Sequence, residues 1–400
     1  MTNLLFLGCL YAESQKDFFL KSSKRGYQSA AQNFQEALVD GFLNNIDTNT
    51  TILSIPSLSA YPKGCNLFKV DSASFLNENK EVGKAFGYIN IPFLKGFHNS
   101  KIDKYIDKWY SQAAGSKVIV VYALLRNQLQ YAVAAKKRHS DIKLCVIVPD
   151  LPMYMRCNKY YKMLGLQKKD MEAIDKLVHQ FDSYVVLAEP MVEQLRVREK
   201  PYVVIEGIYR AGDEMQLSRE IPLYKTLLYA GGIQTRYGVF DLIEAFHRLP
   251  NKDYRLVLCG SCQEMRKLNS YLSADKRIEY LGLIPTDKVR KLQKKVTLLV
   301  NPRHSSEDFT KYSFPSKTLE YMASGTPVLM SPLSSMPNDY KKNLFLFNDE
   351  SVEGMMAKIE EVLNLDATIL DQIGKSASDF ILSRKNTKAQ VAKIIDLINK

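Results

Sequence analysis

The chain has 400 residues, 46% of them hydrophobic, and a net charge of +12, an ordinary globular composition with room for two or three domains. No apolar run reaches the roughly 18 residues that a helical membrane span needs. The excess of positive charge calls for an acidic partner, either nucleic acid, anionic lipid or a phosphorylated substrate, and the lack of an arginine-rich tract with interleaved aromatics disfavours nucleic acid.

Taken in order, apolar runs alternate with amphipathic stretches, the pattern of a doubly wound parallel sheet. Residues 4–10 read as a first strand; Glu13 and Asp17 follow closely and no basic region frames the run, so a signal peptide is not expected. A polar segment over 13–29 precedes an amphipathic helix over 30–42. Strands are predicted at 51–55, 67–70 and 88–91. The runs 118–122 and 144–148 are continuously apolar, as strands covered on both faces are, with a helix over 127–138 between them. A helix near 171–180, a strand at 184–187 and an apolar run at 203–207 complete this half. Residues 209–225 are polar, mixed in charge and without a period, which predicts an interdomain linker. A second series follows, with strands at 226–230, 255–258, 278–280 and 297–300 and helices at 239–249, 265–272 and 287–294. Domains are therefore expected at 1–208 and 226–375. Helices are predicted near 352–363 and 389–398, and the segment 376–400 is expected to pack back on the first domain. Ligands in such sheets sit beyond the carboxyl ends of the strands, and two tandem halves imply a cleft.

Six cysteines (Cys9, Cys65, Cys145, Cys157, Cys259, Cys262) are widely spaced, which suits a reducing cytoplasm. Cys259 and Cys262 form a lone C-x-x-C; a zinc site needs a second pair, so they read as incidental thiols, with a redox pair as the alternative. His98, His139, His179 and His247 show no metal-ligand spacing, and no D-x-D stands at a strand end. No metal is expected.

The richest stretch runs from Lys311 to Leu329. Pro315 suits a first helical turn, and Ser313 and Ser316 can cap the free amides there. Leu319, Met322 and Ala323 have helical spacing, Gly325 can take the left-handed stop, and Pro327 prevents continuation. Lys317 and Glu320 stand three apart on one face at the helix start. A helix start of this kind is a ready anion site, and Glu320 can bind a sugar diol; a plain capped helix with an internal Lys-Glu pair is the alternative. After the strand 226–230, Gly231 and Gly232 allow close backbone approach to a ligand. Arg236 in the same loop can grip phosphate oxygens with two prongs, or it is a solvated turn arginine. After the strand 297–300, Arg303 suits a phosphate, while His304, Glu307 and Asp308 suit a sugar; for His304 a surface role is the alternative. In the first half Asp150 follows the strand 144–148, placed either for general-base work or hydroxyl binding or simply as a turn aspartate. Gln28, Ser29 and Asn33 give a weak signal at the start of the first long helix.

Together, Tyr229-Ala230-Gly231-Gly232 through Arg236-Tyr237-Gly238, Asn301-Pro302-Arg303, and Phe314-Pro315-Ser316-Lys317 through Glu320-Tyr321-Met322-Ala323-Ser324-Gly325-Thr326-Pro327 resemble the retaining GT-B glycosyltransferases of family 4. These include the bacterial group 1 enzymes that build capsular polysaccharides and exopolysaccharides. The resemblance covers essentially the whole chain and is strongest over 227–332. It implies an α/β protein of two Rossmann-like domains facing a central cleft, with a nucleoside-diphosphate sugar held mainly by the C-terminal domain. By position, Glu320 looks like the family glutamate that binds the nucleotide ribose. The resemblance implies that the backbone of residues 314–316, with Lys317, would meet the diphosphate at the helix start. Arg236 would sit where a basic loop residue neutralises the phosphates and helps the nucleoside diphosphate depart, with Gly232 and Arg303 expected to complete the donor site.

The chain also departs from the family pattern. Where the family has the first of two glutamates, this sequence has Tyr312, so Glu307 or Asp308 from the adjoining loop, or Tyr312 itself, is expected to contact the transferred sugar. The family's catalytic-loop histidine has no plain counterpart, and Asp150 is the candidate in its place. The usual N-terminal double glycine is also absent. The implied activity is transfer of a hexose-type sugar, with retention, from a UDP-sugar or other nucleoside-diphosphate sugar to a saccharide acceptor. That acceptor is expected to be lipid-linked, on a polyprenyl carrier, at an anionic membrane surface on the cytoplasmic side, with no cofactor, metal or nucleic acid. Two other readings stay open: a nucleotide-sugar epimerase of the same fold, and a non-catalytic basic protein that binds anionic lipid or nucleic acid.

Overall fold

The structure, a computed structural model, describes residues 1–24, 29–92, 94, 98–154, 165–210 and 223–400. Gln28, Cys157 and residues 211–222 of the expected linker lie outside the described residues. The chain forms two compact units, one of Met1–Ile208 with Thr387–Lys400 and the other of Tyr209–Asn386.

The strands of the first unit are β1 (Thr2–Gly8), β2 (Thr48–Ser54), β3 (Lys69–Val70), β4 (Ala73–Asn77), β5 (Lys80–Ala85), β6 (Tyr88–Ile89), β7 (Lys117–Tyr122), β8 (Lys143–Val148), β9 (Ser183–Val186) and β10 (Tyr202–Val204). Eight of them make one sheet in the order β10-β9-β8-β7-β1-β2-β5-β4, parallel throughout except for the β4–β5 edge hairpin. Every residue of β1 is buried, which is why residues 4–10 read as an unbroken apolar run. The helices are α1 (Glu13–Ser22), α2 (Ser29–Leu43), α3 (Ser100–Gln112), α4 (Arg126–Arg138), α5 (Leu166–Val178) and α6 (Pro190–Leu195). Residues 13–22 are helical where the sequence predicted a polar segment. Phe19 is the helix's one buried apolar residue, beside Gln15 and Ser22, so no hydrophobic period marks it.

The second unit carries β11 (Thr226–Ala230), β12 (Arg255–Cys259), β13 (Ile278–Tyr280), β14 (Leu298–Asn301), β15 (Val328–Met330) and β16 (Phe345–Leu346). They form a parallel sheet in the order β13-β12-β11-β14-β15-β16. Around it run α7 (Val239–Arg248), α8 (Met265–Ala274), α9 (Thr286–Gln293), α10 (Ser316–Ala323), α11 (Val352–Leu363) and α12 (Ala367–Arg384). The unit extends past residue 375 because α12 continues unbroken, burying Leu370, Ala377, Phe380 and Ile381. The final helix, α13 (Thr387–Asn399), belongs to the first unit, where Val391, Ile394 and Ile398 share a core with Leu38 and Phe42.

The chain of the second unit runs outward from β11 to β12 and β13, then returns to place β14 on the other side of β11. That reversal between β11 and β14 is a topological switch point, and the crevice for a ligand lies outside the carboxyl ends of the strands there. The loops after β11 and β14 are the ones that contain Arg236 and Arg303.

Candidate functional site

The strand ends at this switch point are joined backbone to backbone. Gly260 lies at φ +131°, and a Cβ there would fall 1.9 Å from the Gly231 carbonyl oxygen. Gly238, at φ +69°, packs as closely on the next loop; a Cβ would fall 2.0 Å from the Pro302 oxygen. Only glycine satisfies both the dihedral and the contact. The Gly232 carbonyl accepts a hydrogen bond from the Tyr229 hydroxyl at 3.0 Å. Tyr321, on α10 and almost fully buried, fixes the end of β11 from the other side. Its hydroxyl accepts from the Ala230 N–H at 2.7 Å and donates to the Ala230 oxygen at 3.2 Å. Burial holds this phenol well above its usual range, so it stays a neutral bridge.

On this scaffold the two arginines share two rings. Arg236 lies 4.6 Å from the centroid of Tyr237 and 5.8 Å from that of Phe309; Arg303 lies 5.0 and 5.2 Å from the same two. Tyr237 and Phe309 themselves meet edge to face at 6.3 Å. Among the described residues neither arginine forms an ion pair with a carboxylate, and the Nε of Arg303 is buried without a hydrogen-bond partner. Burial pushes the Arg303 guanidinium below its usual range, and the like charge of Arg236 acts in the same direction. Gathering two cations and desolvating one without a counter-charge costs stability. An anion is the kind of group that would offset this cost.

The start of α10 adds to this. Its N-cap position is Pro315, and no side chain caps the first amides. The serine caps expected from sequence are not formed: Ser313 Oγ donates back to the Phe309 carbonyl at 3.1 Å, because the preceding 3-10 turn holds it there, and Ser316 is exposed. No side chain crosses the amides of Ser316 and Lys317, while the Thr318 N–H donates to the Pro315 carbonyl at 2.9 Å. Phe314 is buried against Tyr340, ring centroids 4.8 Å apart, and so anchors the loop through its side chain. Lys317 lies 3.9 Å from Glu320. Lys317 also opposes the burial that pushes the Cys259 thiol up to about 11, which puts its ammonium near the end of β12.

The remaining candidates divide. Glu307 and Tyr312 flank the 3-10 turn Asp308–Lys311 that carries Phe309, and both are half-buried. Asp308 is exposed and paired with Lys311 at 2.9 Å. His304 is half-buried between two carboxylates: its Nε2 lies 2.7 Å from Asp241 and its Nδ1 3.6 Å from Glu350. Asp150 belongs to the first unit, in the turn after β8. It lies at the surface, yet the protein crowded around it raises its carboxyl above the usual range.

Sequence reasoning missed Glu264. Its carboxylate accepts from both the N–H and the Oγ of Thr235, at 2.8 and 2.7 Å, and these bonds hold it below the usual glutamate range. Lys267, at 3.4 Å from Thr235 Oγ, completes the clamp on the residue preceding Arg236. The signal was available only as a carboxylate shortly after a strand, which is too common to read. Glu264→Gln is expected to weaken anion binding about fivefold by loosening the loop, and to have no further effect in an Arg236→Ala background; a four-variant binding cycle measures this.

Both units carry Rossmann-like α/β sheets that are parallel or nearly so, the fold of the GT-B glycosyltransferases. Residues 224–365 match the family model described as Glycosyl transferases group 1. No curated protein matches the chain in sequence. Among solved structures, it is similar to a sucrose-phosphate synthase from Thermosynechococcus elongatus, with a TM-score of 0.60 and 14% identity over 99% of this chain and 98% of that one. The HepE protein of Anabaena, solved in complex with UDP, gives a TM-score of 0.63 and 13% identity over 99% of each chain. A mutant of S. aureus TarM, solved with fondaparinux, alpha-GlcNAc-glycerol and UDP, gives 0.58 and 12% over 100% of each. At such identities the structural likenesses establish the fold. The group 1 match in the second unit makes the protein an enzyme of the glycosyltransferase class.

Proposed function

We propose that the protein transfers a hexose-type sugar, with retention of anomeric configuration, from a nucleoside-diphosphate donor to a saccharide acceptor, in the manner of the family 4 enzymes of capsular and exopolysaccharide synthesis. The observation that carries this reading is the pair Arg236 and Arg303, without a carboxylate partner among the described residues, packed over Tyr237 and Phe309 in the loops that lead to a helix start without a side-chain cap. Two guanidinium groups without carboxylates suit a diphosphate, whose charge grows as the sugar departs; stabilising that growth is the main catalytic lever in such a site. The first amides of α10 and Lys317 take the remaining phosphate charge, so the reading calls for no metal. Glu320 accepts from the ribose hydroxyls, Glu307 and Tyr312 meet the transferred sugar, and Asp150 acts on the acceptor. The UDP bound to two of the structural neighbours supports a nucleotide donor.

The acceptor in this reading is lipid-linked, and the protein works as a peripheral enzyme at the cytoplasmic face of an anionic membrane. Its charge of +12 supports this, and among the described residues no helix is long and apolar enough to cross a membrane. Incubation with radiolabelled UDP-, GDP- and ADP-sugars and a lipid-linked saccharide tests the reading. Label is expected in the lipid fraction with one donor. Conversion of the donor to an isomer without acceptor would indicate an epimerase, and no turnover of any donor would remove the proposal.

A further inference from the structure

The first unit contains a small lobe with a core of its own. Phe19 of α1 packs with Tyr11, Leu58 and Val70, backed by Leu67 and Tyr88. The lobe is stitched to the end of α1 by backbone bonds, from Lys24 N–H to the Gly64 oxygen at 3.0 Å and from Asn66 N–H to the Ser22 oxygen at 2.9 Å. In the β3–β6 ladder Val70 opposes Tyr88 and both turn inward, so alternation sends Lys69 and Ile89 to the outer side.

That outer side is apolar where a soluble protein gains nothing from it. Phe68 is 53% exposed, Ile89 46% and Tyr61 36%. They are contiguous: the Tyr61 and Phe68 rings meet edge to face at 5.8 Å, and backbone bonds join Tyr61 to Asn90 and Asn90 to Phe68. Lysines frame them. Lys24 reaches across to the Pro62 carbonyl at 3.0 Å, which sets its ammonium beside Tyr61, and Lys63 is the next residue along and exposed. Among the described residues neither has a carboxylate partner. The nearby Asp71 is neutralised by Lys69 at 2.7 Å.

We infer that this face, centred on Tyr61, Phe68 and Ile89 and flanked by Lys24 and Lys63, docks the protein on an anionic lipid bilayer. Exposed aromatic and aliphatic side chains enter the headgroup boundary, where amphipathic rings are favoured, while unpaired lysines meet anionic headgroups. A protein partner would be expected to offer carboxylates to the lysines, and a sugar would stack on the rings; neither accounts for Ile89 and the lysines together as well as a charged bilayer does. The inference rests on the proposed lipid-linked acceptor and assigns the surface that brings the enzyme to it.

Flotation of the full chain with vesicles tests this without any donor sugar. Binding is expected to phosphatidylglycerol–phosphatidylcholine vesicles and not to pure phosphatidylcholine, weakening as salt is raised. Lys24→Gln with Lys63→Gln should weaken it about thirty-fold, and Phe68→Ser at least about tenfold. Circular dichroism and the melting temperature should match the parent in all variants, which shows that they fold, and affinity for UDP should be unchanged. Absence of binding to anionic vesicles, or variants that bind like the parent, would overturn the inference. So would a Phe68→Ser variant that keeps vesicle binding but loses a soluble acceptor saccharide, which would make the face a sugar platform. If vesicles bind and UDP does not, the docking face stands and the donor reading fails; the reverse result fails the docking face alone.

Discussion

Replacing Arg303 by Met is expected to lower affinity for a nucleoside diphosphate by about 2–3 kcal/mol, roughly 30- to 150-fold, the worth of a charge-assisted bidentate contact. The same substitution is expected to leave the melting temperature unchanged or to raise it. Arg303 stands half-buried near Arg236 with its Nε unpartnered, so removing it relieves a desolvated like charge rather than breaking a bond. Opposite signs on binding and stability are the mark of a group kept for function. A structural arginine would lose both together. Arg303→Lys should recover only part of the affinity, because an ammonium does not reproduce the planar fork on the rings of Tyr237 and Phe309. Titration calorimetry and thermal melts of the three proteins decide the matter.

Arg277 is expected to behave in the contrary way. Its side chain is nearly inaccessible and donates to Asp275 at 2.7 Å and to the carbonyls of Leu249, Asn251 and His247 at 2.8, 2.7 and 3.1 Å. It also packs 5.1 Å from the centroid of Phe246. Arg277→Ala leaves the buried Asp275 carboxylate with only the residue-277 N–H and His247 Nδ1 as partners, and deprives three carbonyls of their donor, a loss of about 3–5 kcal/mol. For a unit of this size that lowers the melting temperature by roughly 6–20 °C. The pH dependence has a definite sign. Asp275 is held well below the usual carboxylate range, first by the hydrogen bonds from Arg277. A depressed carboxyl contributes stability at pH values above its unfolded range and loses it as pH falls through the folded value. The parent should therefore keep its advantage over the variant through mild acid and lose it only under strongly acid conditions. A variant melting within a degree or two of the parent would refute this account of the knot.

Much of the fold was legible because parallel strands buried on both faces leave unbroken apolar runs, as in β1, β7 and β8. What escaped notice had weaker patterns for physical reasons. Helix α1 buries Phe19 as its one apolar residue, and the β4–β5 hairpin at the sheet edge exposes Leu76. Helix α12 does carry a helical spacing, Leu370, Gly374, Ala377 and Ile381, but two of those residues are too small to stand out. In the site, Arg236 and Arg303 could be found as cations following apolar strands. That they share two rings could not, since Phe309 reaches Tyr237 only through the fold. The expected serine caps failed for the same kind of reason, Ser313 being claimed by the turn before it. Tyr321 sat within the most informative stretch, yet its bridge to Ala230 spans 91 residues.

The most direct test of the central claim is a titration of UDP and its guanine and adenine counterparts into the full chain in the presence of a chelator. Saturable binding of at least one of them is predicted, competed by the matching nucleotide sugar and weakened by Arg303→Met. No binding of any of the three, or binding that the Arg303 variant leaves untouched, would contradict it.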